Sequence, residues 1–121
     1  MDSIRVMVVD DAADARFLVG LVLGDAEGIE VVAEADGADA ALTALAQTEV
    51  DVILVDARMP VVSGFELTPI QRERQPHVRV ALLTSMVDPV IECQAQEAGA
   101  AAAWSKADLD NLADAIRALV A

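Results

Sequence analysis

The chain has 121 residues, 55% of them hydrophobic and 24% charged, with 6 Gly and 4 Pro, a balance that excludes disordered, collagen-like and low-complexity classes. One domain over residues 1–121 is expected, large enough to fold on its own core without disulfides or a structural metal. Eight Lys and Arg against 21 Asp and Glu leave a formal charge of −13, so naked DNA, RNA and anionic membrane surfaces are poor partners.

Met1-Asp2-Ser3 starts with an acid and no basic-then-apolar stretch follows, which argues against a signal peptide. Ile4 to Val9 is the first of five short runs rich in β-branched residues, and Leu18, Leu21 and Val22 after it step at helical spacing. Gly20 inside that helix costs about 1 kcal/mol relative to Ala. The second run, Ile29 to Ala33, is followed by Ala38, Ala41, Leu42 and Leu45, again three or four apart. The third is Asp51 to Val55. Gly64 to Gln75 after it is irregular, because Pro69 removes a backbone donor and crowds the preceding turn. A kink is expected there, in preference to a helix that restarts with Thr68 as cap.

Val78 to Leu83 is the fourth run, Asp88-Pro89 reads as the N-cap and first residue of the next helix, and Gly99 falls where a left-handed cap ends it. Cys93 in that helix is the only cysteine, so it forms no disulfide framework and no cysteine-rich zinc site; a buried or half-buried thiol of a reducing compartment is expected. Ala101 to Ser105 is a weaker fifth run, and Leu109, Leu112, Ala113, Ile116, Leu119 and Val120 mark the last helix. No apolar run approaches the roughly 18 residues of a membrane span. A soluble, cytoplasmic chain is therefore expected. Apolar strands alternating with helices imply an α/β fold, a doubly wound parallel sheet with helices on both faces and right-handed crossovers. Ligands of such sheets sit outside the carboxyl ends of the strands.

The residues at those ends are Asp10-Asp11 after the first run, Glu34 after the second, Asp56 after the third, Thr84-Ser85 after the fourth and Lys106 after the fifth. Alone, an Asp pair after a strand is a turn or cap, Thr84 a capping hydroxyl, and Lys106 a solvated charge. Parallel strands bring Asp10, Asp11, Asp56, Thr84, Ser85 and Lys106 to one edge, and Lys106 is the only lysine beside seven Arg. Crowded carboxylates repel unless a cation joins them, and an all-oxygen donor set suits Mg²⁺. With Mg²⁺ and Lys106 offsetting charge, a carboxylate can attack a phosphoryl group and form an aspartyl phosphate, while Thr84 donates to a phosphoryl oxygen.

Val8-Val9-Asp10-Asp11, Val55-Asp56-Ala57-Arg58-Met59-Pro60 with Gly64, Leu83-Thr84-Ser85, Gly99-Ala100 and Lys106 together resemble the receiver domain of two-component response regulators over about Ser3 to Val120. The Asp56 to Pro60 segment and Lys106-Ala107-Asp108 are similar to receivers that precede helix-turn-helix output domains. The resemblance implies a flavodoxin-like five-stranded sheet in the order 2-1-3-4-5. It makes Asp56 the phosphoacceptor, Thr84 the switch hydroxyl and Lys106 the partner of the phosphoryl group. Asp10, Asp11, Asp56 and the backbone carbonyl of Arg58 become the Mg²⁺ ligands. The switch aromatic expected three residues before the lysine falls on Ala103, and Trp104, one residue out of phase, points to the opposite face of its strand and packs in the core. Ala107 in place of proline implies a trans bond after Lys106.

The expected role is a phosphorylation-dependent switch, not an enzyme beyond its own phosphoryl transfer and dephosphorylation. Its partners are a sensor histidine kinase or histidine phosphotransfer protein and an output domain or effector; it binds neither nucleic acid nor membrane directly and is a monomer or weak homodimer. A phosphate sink or shuttle without conformational output is the alternative that Ala103 allows. An acyl-phosphate hydrolase would share Asp56, metal and lysine but wants an acid where Arg58 stands.

Overall fold

The structure, a computed structural model, describes residues 3–121. Five strands alternate with five helices: β1 (Ile4–Val9), α1 (Ala13–Gly24), β2 (Ile29–Ala35), α2 (Ala38–Gln47), β3 (Val52–Asp56), α3 (Gly64–Arg74), β4 (Arg79–Thr84), α4 (Pro89–Ala98), β5 (Ala102–Ser105) and α5 (Leu112–Val120), the last preceded by a 3-10 turn at Leu109–Asn111. The strands form one parallel, doubly wound sheet, as the alternation predicts, in the order β2-β1-β3-β4-β5 that the resemblance implies.

The period-2 geometry of the strands divides the core in two. Met7, Val9, Ile53, Val55, Val80 and Leu82 face α2, α3 and α4, meeting Ala41, Leu45, Leu67 and Ala95. Val6, Val8, Val52, Leu54, Ala81 and Leu83 face α1 and α5, meeting Val19, Leu23, Leu112 and Ile116. Every residue of β3 is buried, which is why its sequence is a continuous apolar run ending in one acid. Val9 pairs with Val55, Asp56 with Leu83, and Thr84 with Ser105, so the carboxyl ends of β1, β3, β4 and β5 share one edge.

Strand ends differ from the expected ones by one or two residues, because ladder pairing and not apolar character sets them. Asp56 and Thr84 are the last residues of their strands instead of the first beyond, and Glu34 lies inside β2, opposite Val8. α1 is apolar almost all round, so periodicity could not select its inner face. Val19 and Leu23 are buried, whereas Leu18 and Leu21 are about half exposed.

α3 is one continuous helix through Pro69 and does not restart at Thr68. Ser63 caps it with a capping box: Ser63 Oγ accepts from the Glu66 amide at 3.1 Å and Glu66 Oε1 from the Ser63 amide at 3.1 Å. The Thr68 hydroxyl donates to Gly64 O at 2.7 Å inside the helix. Asp88 caps α4 by accepting from the Ile91 amide at 2.8 Å, Pro89 follows it, and Gly99 ends the helix at φ 95°. Cys93 is exposed, contrary to expectation, because Ile91 and Ala95 form the inner face of α4 and Cys93 lies between them on the outer side. Trp104 is half-buried on the α1/α5 face with Leu112 and Ile116, and Ala103 lies on the opposite face. The described residues contain no cis peptide, so the bond after Lys106 is trans.

Candidate functional site

The site is built where β1, β3, β4 and β5 end. Asp10 follows β1 and is 3% exposed, and each of its polar groups is engaged. Its amide donates to Ala35 O at 3.1 Å. Its Oδ1 accepts from the Ala12 amide at 2.9 Å, a turn in which the side chain substitutes for backbone. Its Oδ2 accepts from Lys106 Nζ at 2.7 Å, and its carbonyl accepts from Arg16 Nη1 at 2.6 Å. Asp11, the next residue, is exposed.

Asp56 ends β3 and is 8% exposed. Its Oδ1 accepts from the Arg58 amide at 3.2 Å and lies 3.4 Å from Lys106 Nζ. Gly64, the first residue of α3, sits so close that a Cβ there would lie 2.5 Å from Asp56 O. Only glycine lets the helix start against the end of β3. Thr84 ends β4, buried, and its carbonyl accepts from the Lys106 amide at 2.7 Å, which fastens the lysine to the site after β5 has ended.

One carboxylate oxygen from each of Asp10, Asp11 and Asp56 lies within 4.8 Å of the other two. Burial raises the Asp56 pKa above the usual carboxylate range; the Arg58 amide counters it, the Asp10 charge adds to it, and Lys106 opposes both. Lys106 is held above its ordinary value because its bond to Asp10 and the charges of Asp56 and Asp10 outweigh its desolvation. One lysine shared between two carboxylates, with a third carboxylate alongside, is a cluster short of positive charge. Three converging carboxylates with a deficit of cation are the donor chemistry of a hard divalent ion such as Mg²⁺.

Asp10, Asp11, Asp56, Thr84 and Lys106 thus come together as the strand order requires. Arg58 is exposed and meets the cluster through its amide. Ser85 is exposed, and Glu34 stands apart, facing Arg16 at 3.7 Å. Arg16 belongs to no motif of the sequence, and its only signal there is its place one helical turn after Ala12.

The family model for the response regulator receiver domain matches residues 6–117. The chain is 34% identical over 119 residues to response regulator GacA of Pseudomonas aeruginosa, covering 98% of this chain and 56% of that protein. It is 39% identical over 85 residues to a protein-glutamate methylesterase/protein-glutamine glutaminase of Paramagnetospirillum magneticum, covering 70% of this chain and 22% of that protein. The chain therefore spans about half, or less, of the length of these curated relatives. Among solved structures it is similar to the signal receiver domain of the response regulator NarL from Mycobacterium tuberculosis, with TM-score 0.91, 30% identity and 99% and 98% of the two chains covered. It is also similar to a LuxR-family two-component response regulator from Aurantimonas, with TM-score 0.92, 29% identity and 98% and 86% covered.

Proposed function

This chain belongs to the response regulator receiver domain family, and we propose that residues 1–121 are a single receiver whose Asp56 accepts a phosphoryl group from a sensor histidine kinase or a histidine phosphotransfer protein. The convergence of three carboxylates within 4.8 Å, with Lys106 between two of them, carries this reading.

Asp10, Asp11, Asp56 and the backbone carbonyl of Arg58 would hold Mg²⁺. The bound ion supplies charge neutralisation and orients phosphoryl oxygens. An Asp56 carboxylate oxygen attacks phosphorus; the P–N bond of the donor breaks with its electron pair returning to the imidazole, leaving an aspartyl phosphate and a free histidine. Lys106, already at the site, moves from its carboxylate partners to a phosphoryl oxygen, as a compact ammonium with rotatable donors can. Thr84, buried at the end of β4, donates to another.

The chain works in the cytoplasm, performs no catalysis beyond its own phosphoryl transfer and hydrolysis, and acts as a monomer or weak homodimer. An output domain or effector reads its state. Among the described residues no helix is long and apolar enough to cross a membrane.

The test is incubation with Mg²⁺ and a small acyl phosphate followed by intact-mass measurement. One phosphoryl adduct is expected on the parent and none on Asp56→Asn. A stoichiometric adduct on Asp56→Asn would overturn the assignment.

A further inference from the structure

Arg16 lies outside the set of acids, hydroxyl and lysine to which the phosphoryl chemistry is assigned, yet it touches the backbone of that set. Its Nη1 donates to Asp10 O at 2.6 Å, and its Nε faces Glu34 Oε1 at 3.7 Å. The guanidinium spans from β2, where Glu34 sits, to the turn that carries Asp10 and Asp11. Little else in that turn fixes the Asp10 carbonyl: Ala12, the N-cap of α1, has no side chain able to cap the helix, and the bonds of Asp10 Oδ1 to the Ala12 amide and of Asp10 Oδ2 to Lys106 Nζ hold the carboxylate and not the carbonyl.

We propose that Arg16 is a positioning residue for the metal site: by fixing the Asp10–Asp11 peptide it holds the exposed Asp11 carboxylate within reach of Asp10 and Asp56, and Glu34 keeps the guanidinium turned toward the peptide. The proposal rests on Asp10, Asp11 and Asp56 being the Mg²⁺ ligands. A charge-assisted bond from guanidinium to carbonyl is among the stronger hydrogen bonds and is planar, so it fixes direction as well as distance. Buried on all its polar groups, Asp10 needs no further help to stay in place. Asp11 has only the orientation of its own peptide to direct it.

Charge alone makes the opposite demand, and this separates the two roles. A cation beside an acidic cluster repels a second cation, so if Arg16 were only a charge its removal would tighten Mg²⁺ binding. If it positions Asp11, removal weakens binding, and outer-shell partners of metal ligands typically carry about 10–100-fold in affinity.

The experiment is calorimetric titration of MgCl₂ into the parent, Arg16→Gln and Arg16→Lys at one ionic strength, with melting temperatures of the metal-free proteins alongside. Arg16→Gln is expected to bind Mg²⁺ about tenfold more weakly, at the lower end of that range. Arg16→Lys, which keeps a donor for Asp10 O but cannot span to Glu34, should fall between Gln and the parent. Unchanged or tighter binding by Arg16→Gln overturns the proposal, including the case where its melting temperature falls while its affinity does not, which would make Arg16 a structural residue only. Should Arg16→Gln fail to fold, parent-like affinity in Arg16→Lys overturns it. A parent that binds no Mg²⁺ removes the metal reading itself and this inference with it, whereas a binding parent with indifferent variants removes only the role of Arg16.

Discussion

Asp56 is the nucleophile of this reading and also a local weakness of the metal-free protein. Burial raises its pKa, with Asp10 adding to the effect and the Arg58 amide and Lys106 opposing it. A carboxyl whose folded pKa lies above its unfolded value favours folding least when ionised: the penalty is absent below about pH 4, the ordinary carboxylate value, and grows as pH rises through the raised folded pKa. Asp56→Asn is therefore expected to melt at a higher temperature than the parent at pH 7 without metal, with the gap closing on acidification. Asp10 still holds Lys106 at 2.7 Å in that variant, so the lysine is not orphaned. Equal melting curves at pH 7 would show that Asp56 is not strained by its burial. Val61 is the second weak point. It has φ 70° and is 98% exposed, and the Val62 amide donates to Pro60 O at 2.8 Å, a γ-turn of the rare positive-φ form on a β-branched residue. Glycine, with no Cβ, enters that region without steric cost and Val does not, so Val61→Gly should gain about 1 kcal/mol in urea unfolding. A loss would mean the Val61 side chain makes a stabilising contact.

Two glycines at helices make opposite demands on their elements. In α1 a Cβ on Gly20 meets nothing within 4 Å, so no packing reason supports the glycine. Gly20→Ala should stabilise the chain by about 1 kcal/mol through helix propensity and leave Mg²⁺ affinity unchanged. In α3 a Cβ on Gly64 would meet Asp56 O at 2.5 Å, Ala57 Cα at 3.0 Å and Leu82 Cδ2 at 3.0 Å. Two of these are backbone atoms, so α3 must move away from β3. Gly64→Ala should lose about 1–3 kcal/mol, the usual range for overpacking, and should slow formation of the Asp56 phosphoryl adduct. Parent stability and adduct yield together would show that α3 yields without disturbing the site. The α3 sequence conceals how well this helix is anchored. Pro69 reads as a breaker, yet the Ser63–Glu66 capping box and the buried Thr68 hydroxyl on Gly64 O support the turns before it.

The acidic balance acts over the entire chain. At −13 it repels a polyanion from every direction, so the purified 121-residue chain should give no mobility shift with duplex DNA near physiological salt. A shift would reveal a basic surface that the eight Lys and Arg do not suggest. Coupling of phosphorylation to an output surface is another long-range property. Ala103 sits on the α2/α3/α4 face of β5, where a larger side chain is absent, and Trp104 is committed to the α1/α5 core. Amide hydrogen exchange with and without a phosphoryl mimic is therefore expected to change most from Thr84 to Asp88 and in α4, and equally large changes across residues 101–105 would overturn that expectation.

Strand count, the parallel sheet and the acids and lysine of the site were legible because they depend on local pattern plus one rule of geometry. Alternation of apolar runs and helical periods gives the doubly wound sheet, and parallel strands carry whatever ends them to a common edge. The α4 caps at Asp88, Pro89 and Gly99 were readable for the same local reason. What needed tertiary structure involves partners distant in sequence. Lys106 sits 2.7 Å from Asp10, 96 residues away, and 3.4 Å from Asp56, a division no spacing encodes. The buried face of α1, the outward turn of Cys93 and the reach of Arg16 from α1 toward β2 were equally unreadable, because the choice among faces of an element is made by what packs against it. Burial, and with it the raised pKa of Asp56, follows only once β1, β3, β4 and the start of α3 have closed around the carboxylate.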